Sequence, residues 1–260
     1  ACLVGSEMCI RDRTQDIIDF KAYNEDDAQV ITKVGRSPYE FYGYETNGVY
    51  ATTQEALASG LKNSYGNNYR GGDVRFVDQN HDGVINDEDR VSLGSATPDF
   101  FGGLSTTFRY KWISLKADFG YSVGNKAYNA TRRMSESMST FYNQSTSVLN
   151  RWQVEGQVTD MPRAAYGDPS GNNFFSDRWV EDASYFKLRA LTLAFHFDNK
   201  MLKFCQSGTI YVTGENLFTA TDYLGSDPEF NYSYSESMRG FDYAKVSLPI
   251  TIKVGFNLNF

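Results

Sequence analysis

The sequence feature that most constrains the fold is a period-two alternation of apolar and polar residues along segments of about ten to twelve residues. In the clearest segment, residues 112–123, the odd-numbered residues from Ile113 to Val123 are apolar and those between them are small or polar. Residues 100–110, 185–197 and 249–260 also alternate, and residues 207–218 do so less regularly. Only Lys111 separates the first two segments along the chain, which predicts a tight hairpin. A period of two indicates strands with one apolar and one polar face, so the chain is predicted to be all-β and antiparallel.

Three details favour membrane strands over the strands of a soluble antiparallel sandwich, which also alternate. The segments are close to the roughly 9–11 residues that cross a bilayer and longer than the usual strand of about 5–6. Aromatic residues lie near their ends, as in the aromatic girdles of membrane barrels. Short connections (residue 111 and residues 198–206) alternate with long ones (residues 124–184 and 219–248). We therefore predict an antiparallel transmembrane β-barrel segment with long extracellular loops.

The candidate strands are too few for a closed membrane barrel. Residues 36–44 are a weaker sixth candidate, and Pro38 limits them to a strand start or an edge. The smallest membrane barrels have about eight strands, and an open sheet edge in lipid leaves backbone groups without partners. We therefore expect a partial barrel, either a fragment of a larger one or a chain that oligomerises. Residues 14–260 are assigned to it, because residues 1–13 have no clear strand or helix period and are interpreted as a non-native or artefactual leader.

Charge and motifs argue against several other functions. The formal net charge is −7, which argues against nucleic acid as a partner, because nucleic acid binds to a basic face. The sequence has no GxSxG, Walker or HExxH motif, so no catalytic residue is assigned and no enzyme is predicted. His196 lies in a predicted strand and is interpreted as a residue of the barrel wall. A glycoside hydrolase, which needs two facing carboxyl groups, is only a remote alternative.

Residues 78–89, DQNHDGVINDED, have the ligand spacing of a calcium-binding loop. Calcium prefers about six to eight oxygen ligands. The predicted ligands are the side chains of Asp78, Asn80, Asp82, Asn86 and Asp89 and the backbone carbonyl of Val84. Gly83 permits the sharp turn of such a loop. Asp89 stands where an EF-hand has a bidentate Glu, so whether its shorter side chain reaches the ion has to be established.

The Ca²⁺ is predicted to be structural rather than a signal. A calcium sensor needs paired amphipathic helices and a second loop, and neither is recognisable around residues 78–89; residues 74–77 instead indicate a short strand. A calcium-free acidic turn is the alternative. Counting strands back from the last one places residues 78–89 in an extracellular segment, residues 45–99.

Six segments, in this order along the chain, resemble one protein family: residues 47–56, 78–90, 151–163, 176–195, 214–229 and 254–260. The most specific stretches are VEDASYFKLRALTL and GENLFTATDY. Together they resemble the C-terminal part of SusC/RagA-type TonB-dependent outer-membrane transporters. The resemblance covers roughly residues 36–260.

The resemblance implies part of an active transporter in the cell outer membrane, surrounded by lipid, that imports nutrients such as glycans or peptides. Such transporters are barrels of about 22 strands whose N-terminal plug is pulled by an inner-membrane TonB motor. A SusD-type lipoprotein lid hands over the cargo, and the plug is expected upstream of this segment. The aromatic last residue, Phe260, resembles the signal read by the barrel-assembly machinery. The alternative is a soluble extracellular calcium-stabilised β-domain that binds glycans.

Overall fold

The structure, a computed structural model, describes residues 17–20, 27–198, 201, 205–230 and 235–259, and only the backbone of residues 17–20. The predicted leader, residues 1–13, and Phe260 lie outside the described residues. The strands are β1 Ile17–Phe20, β2 Gln29–Thr32, β3 Glu40–Tyr44, β4 Thr46–Val49, β5 Lys62–Asn63, β6 Val74–Phe76, β7 Val84–Ile85, β8 Arg90–Ser95, β9 Phe100–Tyr110, β10 Ile113–Val123, β11 Lys126–Asn129, β12 Val180–Asp182, β13 Tyr185–Asp198, β14 Ser207–Thr221, β15 Phe241–Asp242 and β16 Thr251–Asn259. The helices are α1 Thr53–Ala58 and α2 Ala130–Glu136, with 3-10 turns at Asp87–Asp89, Thr146–Asn150 and Glu236–Met238. Within the described residues, no helix is long and apolar enough to cross a membrane.

The chain divides into two compact units. The first, which we call the core unit, contains Ala1–Thr97, Lys126–Glu181 and Phe230–Lys245. The second, the sheet unit, contains Pro98–Asn125, Asp182–Glu229 and Val246–Phe260. Much of the two long predicted loops therefore belongs to a compact unit that has strands and helices of its own.

The sheet unit is one antiparallel sheet with the strand order β16-β14-β13-β10-β9. β9 and β10 form the hairpin predicted from the sequence, and Lys111 in their turn has a φ of 53°. The five segments with the clearest alternation all form strands of this sheet, which confirms the predicted all-β antiparallel arrangement. Among the described residues, β9 and β16 are the two edge strands.

Alternation along each strand gives this sheet one apolar and one polar face. One row across the apolar face consists of Phe108, Leu115, Leu193, Val212 and Val254, whose exposed fractions lie between 39% and 73%. The adjacent row on the polar face consists of Thr107, Lys116, Thr192, Thr213 and Lys253. The apolar side chains of this sheet thus face outward rather than into a protein core.

A β-bulge interrupts the alternation in β13. Leu188 and Ala190 pair with adjacent residues of β10, so Arg189 between them is an extra residue, and the register with β14 shifts at the same place. Without the bulge, alternation would put Lys187 and Arg189 on the apolar face. With it, the Arg189 side chain lies over Gly120 on the polar face, where a Cβ on Gly120 would come within 2.4 Å of the Arg189 Nε.

The core unit contains a four-stranded sheet, β1-β2-β3-β8, a three-stranded sheet, β12-β11-β15, and the pairs β4-β6 and β5-β7. Residues 36–44, the sixth candidate for the barrel, contribute β3 to the four-stranded sheet. The prediction of a strand is confirmed, but its assignment to the barrel was wrong. The physical reason is burial on both faces, since every residue of β3 except Tyr42 is buried. Pro38 lies before the strand, where no ladder donor is needed.

Aromatic side chains fill the main core of this unit around Phe175. Phe41, Tyr128 and Phe241 are fully buried with it, and the Tyr128 and Phe175 rings meet edge to face at 4.9 Å between centroids. Gly43 of β3 allows the close approach of the chain at Phe175. A Cβ on Gly43 would lie 2.5 Å from the backbone oxygen of Phe175.

Candidate functional site

The calcium-type loop, residues 78–89, lies in the core unit and is held by its own side chains. The Asp78 carboxylate accepts hydrogen bonds from the backbone amides of His81, at 2.7 Å, and Gly83, at 2.9 Å. His81 and Gly83 have φ values of 62° and 83°. The space around Gly83 is open, so glycine is favoured at position 83 by the positive φ of the turn and not by a close neighbour. Desolvation acts to raise the pKa of Asp78 and is the largest single effect, but the amide hydrogen bonds together lower this pKa.

Three more side chains of the loop each accept a hydrogen bond from the backbone two residues ahead. The Oδ1 of Asn80 accepts from the Asp82 amide at 3.0 Å. The Oδ1 of Asp82 accepts from the Val84 amide at 2.7 Å. The Oδ1 of Asn86 accepts from the Glu88 amide at 2.8 Å. Such local bonds give the chain an alternative to helix or sheet pairing, which explains the irregular path of the loop.

Asp89 closes the loop by joining its two ends. Its side chain is fully buried, and its Oδ1 accepts from the Gln79 amide at 2.9 Å while its Oδ2 accepts from the Asn86 amide at 2.9 Å. With the Asn86 side chain, it forms a capping box at the 3-10 turn Asp87–Asp89. The reach of Asp89 is therefore sufficient to hold the loop closed through backbone amides.

Ile85 and Tyr44 anchor the loop to the rest of the core unit. Ile85 is fully buried in a cluster that includes Tyr44 and Phe76. The Tyr44 hydroxyl donates to the Asp87 carboxylate at 3.4 Å, and Arg90 Nε donates to the same oxygen at 2.9 Å. Burial raises the pKa of Tyr44 to about 12, so its hydroxyl keeps the proton that this bond requires.

The predicted metal ligands lie in one loop, but their carboxylates do not form a cluster. The Nδ2 atoms of Asn80 and Asn86 lie 3.2 Å and 3.5 Å from the Asp82 Oδ2. Asn80 also donates to Glu88 at 3.0 Å, a residue outside the predicted ligand set. Across the described part of the chain, no group of three or more His, Cys, Asp or Glu side chains is placed to hold a metal ion. The calcium ligands therefore stay a prediction from the sequence.

His196 lies on the polar face of the sheet unit, between two neighbouring strands. Its Nε2 is 2.8 Å from the Ser114 hydroxyl, and its Nδ1 is 3.0 Å from the Thr209 hydroxyl. The Arg109 guanidinium lies 3.5 Å from the same Nε2. His196 is therefore a strand residue of the sheet, and its place in a barrel wall stays a prediction.

A buried ion cluster on the polar face was missed from the sequence. Lys187 is 1% exposed, and its Nζ lies 3.2 Å from Asp227 and 3.4 Å from Glu229. Arg189 contacts Glu229 at 2.5 Å. Two cations in the alternating segment 185–197 could have been noticed, but the partner Asp227 lies forty residues further along the chain.

Comparison with known proteins finds relatives over most of the chain. No family model matches the sequence. TonB-dependent receptor P3 of Formosa agariphila is 32% identical over 237 residues, which are 88% of this chain and 23% of that protein. TonB-dependent receptor SusC of Bacteroides thetaiotaomicron is 25% identical over 221 residues, 84% of this chain and 20% of that protein. The solved structure of the RagAB peptide importer in its open-open state matches with a TM-score of 0.69 at 23% identity, over 93% of this chain and 24% of that one. The chain thus spans between a fifth and a quarter of the proteins it resembles.

Proposed function

We propose that this chain, whose relatives over most of its length are TonB-dependent receptors, forms part of the barrel wall of a SusC/RagA-type outer-membrane receptor that imports nutrients. The observation that carries the proposal is the antiparallel sheet with an outward apolar face and an opposite charged face. In this proposal, a TonB motor at the inner membrane supplies the energy for import by the whole receptor.

The apolar face supports a position in lipid. A second row across it consists of Tyr110, Ile113, Phe195, Ile210 and Phe256, each at least 36% exposed. Exposed apolar surface costs about 25 cal/mol per Å² in water, and soluble monomers rarely expose contiguous apolar patches larger than a few hundred Å². Lipid removes this cost. On the opposite face, the Lys253–Glu215 pair, 2.6 Å apart, suits the water-filled interior of a barrel.

The connections support an assignment of the two sides of the membrane. At one end of the sheet, the two-residue turn 111–112 and residues 199–206 connect the strands. At the other end, β10 and β14 lead into the long segments 124–184 and 222–250. Outer-membrane barrels have short periplasmic turns and long extracellular loops, so we place the long segments outside the cell. The segment before β9, with the calcium-type loop, is then extracellular and extends upstream of the predicted residues 45–99, since β3 is not a barrel strand.

One relative is named SusC and one similar structure is a peptide importer, which supports a proposal for a partner and a cargo. We propose a SusD-type lipoprotein as the partner of the extracellular segments, and peptides or glycans as cargo. An exposed aromatic pair in the core unit supports such contacts. The rings of Phe141 and Tyr166 stack at 4.9 Å between centroids while 91% and 73% of these residues are exposed. Flat aromatic faces bind apolar side chains and sugar rings alike.

Lipid contact at two neighbouring positions of β13 tests the proposed barrel wall. The test uses a full-length receptor in which Cys205 and every other native cysteine have been replaced. A single cysteine is then introduced by Leu193→Cys or by Thr192→Cys, and it carries a fluorescent label. Nitroxide-bearing lipids are expected to quench the label at 193 strongly and at 192 weakly, because the two side chains lie on opposite faces of the sheet. Equal quenching would contradict the proposal. A receptor that stays monodisperse without detergent would instead favour a soluble glycan-binding β-domain.

A structural Ca²⁺ in residues 78–89 is a separate part of the proposal. The ion would be held by oxygen atoms of Asp78, Asn80, Asp82, Val84, Asn86 and Asp89. The support is the spacing of these oxygen-bearing residues together with the left-handed turn at His81 and Gly83. The ion would add a charge-neutralising link to a loop that its own amides already close. Chelation is therefore expected to loosen the loop without unfolding the core unit.

A further inference from the structure

Lys187 is a buried cation on the polar face of the sheet. An isolated buried charge is strongly unfavourable, so its partners decide whether the site is stable. The Nζ of Lys187 donates to Asp227 Oδ2 at 3.2 Å and to Oδ1 at 3.4 Å, and it lies 3.4 Å from Glu229. Asp227 is itself 8% exposed. Both acids belong to residues 222–229, which follow β14 directly, so the lysine ties this segment to β13.

The Asp227 carboxylate also joins a third part of the sheet unit. Its Oδ1 accepts from the Glu229 amide at 3.0 Å, and its Oδ2 accepts from the Leu248 amide at 3.3 Å. Leu248 lies just before β16. One carboxylate therefore connects β13, the segment after β14 and the chain that enters β16.

A second ion pair lies next to the first and differs from it in exposure. Arg189 contacts Glu229 at 2.5 Å, and the two side chains are 51% and 30% exposed. Arg189 reaches this place because the bulge in β13 turns it to the polar face and Gly120 leaves room for its guanidinium. Bulges commonly redirect a side chain in this way next to functional sites. The cluster has two cations and two carboxylates, so it is neutral as a whole.

We infer that Lys187 and Asp227 form a buried ionic latch that holds residues 222–229, which we call the strap, on the polar face of the sheet. The Arg189–Glu229 pair is the outer, solvent-exposed contact of the same strap. If the polar face lines the interior of the barrel, as the proposed function requires, the strap is part of the wall along which cargo passes.

Hydrogen exchange of the purified full-length receptor in detergent tests the latch. Lys187→Met keeps the length of the side chain and removes its charge, which leaves Asp227 buried without its cation. We expect the amides of Glu229 and Leu248 to exchange at least about tenfold faster. Without its cation, the Asp227 carboxylate is more stable in water than in its buried position, so the strap opens more often. Lys253→Met is the matched control, since it removes an exposed ion pair from the same face. It should leave the strap unchanged.

Two more variants keep the test decisive. Asp227→Asn should also speed exchange of the strap, and the double variant Lys187→Met/Asp227→Asn should be less affected than the sum of the two, because no buried charge is left alone. Arg189→Gln or added salt should have a smaller effect, about threefold or less, since the outer pair is exposed. If Lys187→Met does not fold, Lys187→Gln, which also removes the charge, takes its place, because Asp227 itself accepts from the two measured amides.

Strap exchange that is unchanged in Lys187→Met or Asp227→Asn would overturn the latch. Equal acceleration by Lys253→Met would also overturn it, since the effect would then not depend on the buried pair. The measurement needs neither cargo nor motor. A receptor that imports nothing would refute the proposed function while leaving the latch intact, and unchanged exchange in an importing receptor would refute the latch alone.

Discussion

Replacing Asp89 with alanine tests what closes the calcium-type loop. The fully buried carboxylate accepts the Gln79 and Asn86 amides, each at 2.9 Å, and so ties the first part of the loop to its last. Alanine removes both acceptors and leaves the backbone otherwise free to keep its path. The expected result is a loop that opens more often although the core around it stays folded.

The size of the effect follows from the two amides that lose their acceptor. A buried donor without a partner costs about 1–3 kcal/mol. Gln79 and Asn86 are only partly buried, so we take about 1 kcal/mol for each bond, or about 2 kcal/mol in total. This corresponds to roughly a 30-fold larger open population, at about 1.4 kcal/mol for each factor of ten. Asp89→Asn keeps one acceptor oxygen and should lose about half of that energy.

Hydrogen exchange over residues 77–90 of the full-length protein, with a chelator present, measures the open population. Asp89→Ala should exchange fastest, followed by Asp89→Asn and then the unchanged protein. Glu88→Ala removes the neighbouring, exposed carboxylate with the same change of charge. The contact of Glu88 with the Asn80 side chain at 3.0 Å is exposed to solvent, so this variant should stay within about 0.5 kcal/mol of the unchanged protein. If Asp89→Ala and Glu88→Ala exchange alike, the two amide bonds do not close the loop and the reasoning is wrong.

Added calcium separates a self-closed loop from a metal-supported one. Extracellular calcium modules bind at roughly 10⁻⁴–10⁻³ M, so about 10 mM Ca²⁺ is sufficient for the test. If the proposed ion binds, Ca²⁺ slows exchange in the unchanged protein and much less in Asp89→Asn. If Ca²⁺ does not change exchange in the unchanged protein, the structural ion is refuted. Closure of the loop by Asp89 is tested separately, by comparing the variants in the presence of chelator.

Two further predictions concern the core unit. Gly43→Ala puts a Cβ 2.5 Å from the Phe175 backbone oxygen, so we expect a loss of about 1–3 kcal/mol, seen as a lower thermal midpoint of this unit; an unchanged midpoint would mean that β3 can shift freely. The pKa of Asp78 is lowered in the folded loop, so its charge stabilises the loop above the ordinary value of 3.8, and this contribution is lost as pH falls through the lowered pKa. Protection of the His81 and Gly83 amides, measured relative to their intrinsic exchange rates at each pH, should therefore fall on acidification, and Asp78→Asn should remove that dependence; the same fall in Asp78→Asn would assign it to another group.

The strands of the sheet unit could be predicted because each of their faces has a single environment. Where one face is apolar and the other polar, every second residue carries the signal, and residues 113–123 show it without exception. The path of the calcium-type loop was also largely encoded locally, since Asp78, Asn80, Asp82 and Asn86 bond amides within five residues of themselves. Local patterns of this kind do not depend on distant partners.

Which sheet a strand joins depends on residues that are distant in the sequence, so the sequence alone was not sufficient to predict it. Residues 36–44 carry strand-forming residues, but β3 is buried on one face at Phe41 by Phe175 and Phe241 and on the other at Tyr44 by Phe174. These three rings lie more than a hundred positions away along the chain. No alternation marks a strand that is buried on both sides. The same limit applies to Glu88, whose contact with Asn80 depends on how tightly the loop turns.

The bulge at Arg189 shows where a sequence signal was present and could not be interpreted alone. In YFKLRALTLAFHF, Lys187 and Arg189 share the odd-numbered positions with Leu191 and Leu193, so strict alternation would put two cations on the apolar face of the sheet. That conflict excludes a regular strand and leaves either a strand that begins later or a bulge that returns the cations to the polar face. Two features that lie far away in the sequence decide between the later start and the bulge. They are the missing Cβ at Gly120 and the acidic residues forty positions downstream. When a cation occupies a position that alternation assigns to the apolar face of a strand, the chain should be searched for two features. One is a small residue on the neighbouring strand, and the other is a buried acidic residue that can form an ion pair with the cation.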